Sequence, residues 1–332
     1  MSVVKSGARS RDEESSPGAP REGPDPAQRE RRERRAALRS RLDVRLSPYL
    51  FVSPYFILFG MFGLFPVLFT FWISLHEWGL LTGNQGFIGL ENYAGLLGDG
   101  KFWQALVNTL GIFLLAIVPQ LLIALLLADT LNRRLRFRGF FRVGIIIPYI
   151  TSIAAMAIIF GQLFGREFGL INYALEMIGV GGVDWPNNRL ASWTAIAVMI
   201  DWRWIGFNTL IYLAAMQAIP RDLYEAAAID GASRLRQFAQ ITIPMVRPTI
   251  MFTVIIGTIG QMQLFTEPVI FGQGVAGGTQ GQFQTVAMLM FQEAMERQNF
   301  GYGSAIAWVI FLLIVVFALI NILFVSRIRS AG

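Results

Sequence analysis

RDLYEAAAIDGASRLRQFAQITIP, residues 221–244, is a polar, arginine-bearing stretch set between two long apolar runs. Pro220 stands where a helix would begin and Gly231 where it would stop. Between them, 221–230 carries Ala226, Ala227 and Ala228 at its centre. Small side chains let another surface approach a helix backbone closely, and Leu223, Ala226 and Ala227 share one face at three- and four-residue spacing. Gly231 permits a left-handed turn. A second segment, 232–243, ends at Pro244 and leads into the next apolar run. The stretch reads as a helix–turn–helix projection suited to a groove on a soluble partner. An ordinary polar loop with an Ala-rich turn is the plainer alternative.

The two flanking runs belong to a set of six. The chain has 332 residues, of which 54% are apolar and 15% charged. Its mean hydropathy is +0.50, more apolar than a soluble domain of this length. The excess lies in runs near 49–75, 105–128, 143–164, 191–215, 249–271 and 304–326. Each is long enough to cross about 30 Å of hydrocarbon at about 1.5 Å per residue. Inside lipid the backbone must satisfy itself, which predicts helices, and the absence of period-two alternation argues against a barrel. Pro54, Pro66 and Pro119 are expected to kink the first two helices.

Residues 1–48 are rich in Arg, Glu, Pro, Ser and Gly and read as a disordered basic tail. The charged lead is too long, and the first apolar run too full, for a signal peptide. Within the tail, 29–42 suits either a basic helix on anionic membrane lipid or a solvated arm that enforces topology.

Charge placement sets the orientation. Lysines and arginines number 12 before the first run, five in 129–142, four in 216–248 and two after 326. The opposite side holds only Lys101, Arg166, Arg189 and Arg297, and Arg203 lies inside the fourth run. Positive charge stays in the cytoplasm, so both termini and 216–248 are expected to be cytoplasmic. The outward loops 76–104, 165–190 and 272–303 are rich in Gly, Trp and Asn; they form either an external platform or plain connections.

Several classes are excluded. There is no cysteine and a single histidine, His76, which removes cysteine metal sites, thiol catalysis and His-dependent triads and clusters. The net charge of +6 lies at the ends of the runs, indicating membrane topology rather than nucleic acid. His76 and Glu77 sit at the outer edge of the first run and suit an interfacial role.

The spacing E-A-A-x3-G-x9-I-x-I-P, from Glu225 to Pro244, closely resembles the cytoplasmic signature loop of permease subunits of binding-protein-dependent ABC importers; Ile243 stands where that family usually has Leu. Ile88-Gly89-Leu90-Glu91-Asn92-Tyr93, Phe102-Trp103 and Asn108-Thr109-Leu110 are similar to the corresponding segment of carbohydrate-uptake permeases. Gly206-Phe207-Asn208-Thr209, Ala218-Ile219-Pro220 and Phe300-Gly301-Tyr302-Gly303-Ser304-Ala305 fit as well. The likeness covers residues 49–326 and favours the first, maltose-type member of a permease pair. The Gly-rich stretch Gly272 to Thr279 departs from the family's Gly-Gly-Pro pattern.

The resemblance implies an all-α membrane protein of the type I ABC importer permease fold. Its six transmembrane helices would fill 49–326, with a coupling loop at 216–248 and a short cytoplasmic tail at 327–332. It implies a place in the cell (inner) membrane of a bacterium or archaeon. It also implies the translocation of a sugar or oligosaccharide by alternating access. The ATPase-coupling residues would be Glu225, Ala226, Ala227, Gly231, Ile241 and Pro244. The implied partners are a second permease subunit, two copies of a nucleotide-binding ATPase and an external solute-binding protein. No G-x-x-x-x-G-K-[ST] occurs, and the only lysines are Lys5 and Lys101. The chain is therefore expected not to be an enzyme and to bind no cofactor or metal itself, with ATP and Mg held by the partner ATPase.

Candidate path residues are few. Asp201 and Arg203 lie within the fourth run, where charge is costly and usually faces a cavity or partner. Two residues apart, they point roughly 200° from each other and are not expected to pair. Asp201 and Asn208, seven apart, share a face and suit a polar path; an outer-interface position with snorkelling is the alternative. In the fifth run, Gln263 and Glu267 are four apart, share a helix face and suit sugar hydroxyls, against the alternative of helix–helix hydrogen bonding. Asn108 reads as part of a helix start. An ion-coupled secondary transporter would need deeper carboxylates and often internal repeats, and a channel would need a filter. Glycerol phosphate or another small solute on the same ABC fold also remains open.

Overall fold

The computed structural model describes residues 47–133 and 136–329, divided into the units Met1–Pro66 and Val67–Gly332. Nearly all of the expected tail at 1–48 lies outside the described residues, as do 330–332. The first unit contains the beginning of α1 (Ser47–Ser74). This helix widens into a π turn at Gly60–Leu64, where the Phe65 N–H reaches back to the Gly60 carbonyl.

The second unit continues with an antiparallel hairpin, β1 (His76–Gly79) and β2 (Gly83–Phe87), pairing His76 with Phe87. It corrects the expectation of an all-α chain. The hairpin lies in the loop 76–104, where Asn92 Nδ2 donates to the Ser74 and His76 carbonyls. Then come α2 (Glu91–Gly98), α3 (Gly100–Asn132), α4 (Arg138–Ile150), α5 (Ile153–Leu163) and α6 (Leu170–Met177). The chain continues through α7 (Arg189–Gln217), α8 (Arg221–Ile229), α9 (Arg234–Met262), α10 (Thr266–Phe271), α11 (Val286–Phe291) and α12 (Phe300–Arg329).

The core is the pairing of α3 with α7. Ile112, Ala116, Ala195, Ile196 and Met199 form its outer part, and Ala124, Ala128, Tyr212, Leu213 and Met216 its inner part. Alanines on both helices permit close approach, which matters in lipid, where packing and hydrogen bonds hold helices together. The Tyr212 hydroxyl meets the Thr253 hydroxyl and ties α7 to α9. The other face of α3 shows Leu114, Val118, Leu122 and Leu126, an apolar surface suited to lipid.

Among the described residues, four helices are long and apolar enough to cross a membrane: α1, α3, α9 and α12. The third expected run is broken. α4 and α5 meet at 91° across Thr151–Ser152 and count as a fifth span only if taken together. Pro148 lies inside α4, which ends where Thr151 turns extended, with ψ 145°. α7, with 29 residues, is long enough but carries Asp201 and Arg203 mid-helix. The fifth expected run is also interrupted. α9 ends at Met262, where Gln263 leaves the helical region at φ −101° and ψ 17°, and the Leu264 carbonyl accepts from the Thr285 hydroxyl at 2.7 Å. Pro119, by contrast, sits inside an unbroken α3. α12 continues through Arg329, beyond the expected boundary at 326.

Candidate functional site

A cavity of about 200 Å³ opens where α7 and α9, with the turn into α10, face α3. Its polar lining comes from Arg203 and Asn208 on α7, Gln120 on α3, and Gln261, Gln263 and Glu267 around the end of α9. Asn208 Nδ2 donates to Gln120 Oε1 at 3.4 Å. Among the described residues, Gln120 Nε2, Gln261 Oε1 and Arg203 Nε are buried without a partner. The cavity thus presents spare donors and an acceptor to a ligand bearing hydroxyls. The Arg203 guanidinium lies 5.5 Å from the Tyr149 ring centroid, and Tyr149 stacks on Phe207 at 4.5 Å, so α4 helps to hold the arginine in place.

Of the five candidate path residues, Arg203, Asn208, Gln263 and Glu267 line this cavity. Asp201 is buried but outside the lining, with Oδ1 unpartnered and no ion pair to Arg203 among the described residues. Gln263 and Glu267 converge for a reason other than a shared helix face. The break after Met262 separates them, Gln263 in the turn and Glu267 in the first turn of α10. Gln120 is a functional candidate that sequence reasoning missed. Its signal was a lone amide in the middle of an apolar run. Among the described residues no group of three metal-ligating side chains is suited to hold a metal ion.

The elbow at 221–244 has the expected outline. Pro220 precedes α8, and Gly231 follows it with φ +75°. The Gly231 N–H bonds the Ala228 carbonyl at 3.1 Å and the Ala232 N–H bonds the Ala227 carbonyl at 2.9 Å, the paired bonds of a Schellman turn. Tyr224 turns inward, where its hydroxyl meets Thr242 at 2.9 Å and its ring packs on the inner core with Ile241. Glu225 and Ala226 are exposed and Ala227 is half-buried. Pro244 does not end the second segment. A π turn at Phe238–Thr242, in which the Ile243 N–H reaches the Phe238 carbonyl, absorbs the proline and lets α9 run from the elbow into the apolar region.

On the opposite side, Asn108 is fully buried and is more than part of a helix start. Its Nδ2 donates to the carbonyls of Gly281 (2.8 Å) and Gln284 (2.9 Å), and its Oδ1 accepts from Arg189 Nε (3.1 Å) and Nη2 (3.0 Å). It pins the Gly-rich loop 272–303 to α3 and α7. Asn108→Leu orphans these groups and is expected to cost about 3 kcal/mol, read as a lowered melting midpoint.

Comparison with known proteins places this geometry in a family. The profile of the binding-protein-dependent transport system inner membrane component matches residues 120–330, from α3 through the cavity and elbow to the last helix. The chain belongs to that family. The permease is 33% identical over 290 residues to the arabinooligosaccharides transport system permease protein AraP of Bacillus subtilis (strain 168), covering 87% of this chain and 91% of the relative. It is 36% identical over 294 residues to the lactose transport system permease protein LacF of Rhizobium radiobacter, covering 86% and 96%. Its fold is similar to a chain in the crystal structure of a bacterial alginate ABC transporter in complex with an alginate pentasaccharide-bound periplasmic protein. There the TM-score is 0.75 at 21% identity, covering 87% of this chain and 97% of that one. The permease is accordingly a transport component and not an enzyme.

Proposed function

We propose that the permease forms half of the translocation path of an ATP-driven importer for a sugar or oligosaccharide delivered by an external solute-binding protein. The observation that carries this reading is the exposed elbow around Gly231, on a chain with no phosphate-binding loop of its own. Glu225, Ala226, Ala227 and Gly231 present the elbow to a nucleotide-binding ATPase, two copies of which serve this chain and a second permease; Ile241 and Pro244 anchor it to α9. ATP and Mg belong to the ATPase. Six crossings are assigned to α1, α3, the bent α4–α5 pair, α7, α9 with α10, and α12, with both termini cytoplasmic in a bacterial or archaeal cell membrane. The arginine count on the elbow side supports that orientation. The named substrates of the relatives and the amide-lined cavity both support a carbohydrate. ATP and the loaded binding protein then favour the outward state together.

Reconstitution tests the assignment. The chain with its partner subunits is expected to import labelled oligosaccharide only with ATP and binding protein; uptake by the chain alone, driven by an ion gradient, would overturn it. Gln263→Ala and Asn208→Ala are each expected to lower transport about tenfold, the factor that about 1.4 kcal/mol of lost polar contact produces. Basal ATP hydrolysis should be retained. Unchanged uptake would remove these side chains from the path.

A further inference from the structure

Three helix ends meet on the elbow side of the permease: the C-termini of α3 and α7 and the N-terminus of α4. Between them and the start of α8 lies a cavity of about 580 Å³ lined by four arginines, Arg133, Arg138, Arg142 and Arg221. Met216 and Ile219, both buried, form its apolar wall. The charge here is not balanced. Arg133 pairs with Asp129 at 2.5 Å, and the other three arginines have no ion pair among the described residues. Arg138 donates Nε to the Leu131 carbonyl and Nη2 to the Asn132 carbonyl, capping α3 without neutralising its own charge. Arg142 Nε is buried with no acceptor among the described residues.

An unpartnered buried N–H is costly, and like charges gathered around one hollow repel. An anion with several oxygens relieves both, and phosphate fits the guanidinium fork. The position of the cavity points to the source. Met216 is in the last turn of α7, Ile219 lies just beyond its end, and Arg142 lies one turn into α4, which is where lipid phosphates meet the ends of spans. Tyr224 and Arg221 of α8 face the cavity. Ala226, exposed on the opposite side of that helix, is left for a protein partner.

We propose that this cavity binds the phosphate headgroup of an anionic phospholipid and so ties the bilayer to the base of the elbow. The test uses the full-length chain with its partner subunits in nanodiscs of phosphatidylcholine, with or without cardiolipin, and with inorganic phosphate as a separate probe. Cardiolipin is expected to co-purify and to raise the melting midpoint. Each arginine removed in R142Q and R221Q is expected to lower cardiolipin affinity about fivefold. The midpoint in phosphatidylcholine alone should not fall, because Arg221 is exposed, Arg142 Nε has no bond to lose and the substitutions relieve like-charge repulsion. Arg142→Lys, which keeps the charge, should retain most of the effect. A shift produced by inorganic phosphate but not by cardiolipin would overturn the proposal. So would an equal cardiolipin effect in R142Q/R221Q, or loss of the ATPase from that variant with bound lipid unchanged. Lipid retention needs no transport, so the result stands apart from the importer assignment.

Discussion

Gly231→Val is expected to lower ATP-driven uptake at least about tenfold while the permease still inserts and assembles. A Cβ on Gly231 would meet nothing within 4 Å, so the penalty is not a clash. It is conformational: at φ +75° an L-residue pays about 1–2 kcal/mol, and a β-branched one more. The two Schellman bonds that close α8 depend on that conformation. α8 has nine residues, too few to persist without tertiary support, and Tyr224 holds it from one side only. Losing the turn therefore frays the surface that the proposed ATPase would grip and leaves the α3–α7 core untouched. Gly231→Asn, which tolerates the left-handed region, should keep most of the activity. The measurement is uptake beside ATP hydrolysis in vesicles. Coupled uptake at wild-type levels in the valine variant would refute a coupling role for the elbow.

Gly206→Ala is expected to destabilise the permease by about 3 kcal/mol, and Gly206→Leu to prevent its folding. A Cβ at Gly206 would lie 1.8 Å from the Ile145 carbonyl oxygen and 2.8 Å from its carbon, so α4 itself must move. The crossing has no flexible side chain to give way. It also sets the cavity, because Arg203 and Asn208 flank Gly206 on α7 and Tyr149 of α4 packs on both Phe207 and Arg203. Gly144→Ala on the facing helix, where nothing lies within 4 Å, serves as the control and should be near neutral. Melting of the detergent-solubilised protein gives the measurement; a Gly206→Ala midpoint equal to that of Gly144→Ala would mean that the helices are not held at this distance.

Much of this arrangement was legible in residue order. Proline at 220 and glycine at 231 bound α8 because each acts through its own backbone, whatever packs nearby. The breaks after Ile150 and Met262 were missed. An apolar run of spanning length looks continuous by hydropathy, whereas a break depends on partners for the backbone groups it frees. Thr285 supplies one for the Leu264 carbonyl, from a distant part of the chain. Conversely, α3 accommodates Pro119 without a break. Pro244 is likewise accommodated, by a π turn that no short-range pattern announced.

Apolar runs, arginine placement and the elbow motif are properties of residue type and spacing. They were sufficient to indicate a membrane permease with an elbow on its arginine-rich side. Which polar groups meet was decided only by packing. Gln120 and Asn208, 88 residues apart, share the cavity, and Asn108 grips a loop more than 170 residues away. Asp201, on the same helix as Asn208, is left outside the lining. Helix rotation, the 1.8 Å approach at Gly206 and the break after Met262 set those meetings. They arise from contacts between distant segments, which residue spacing does not encode.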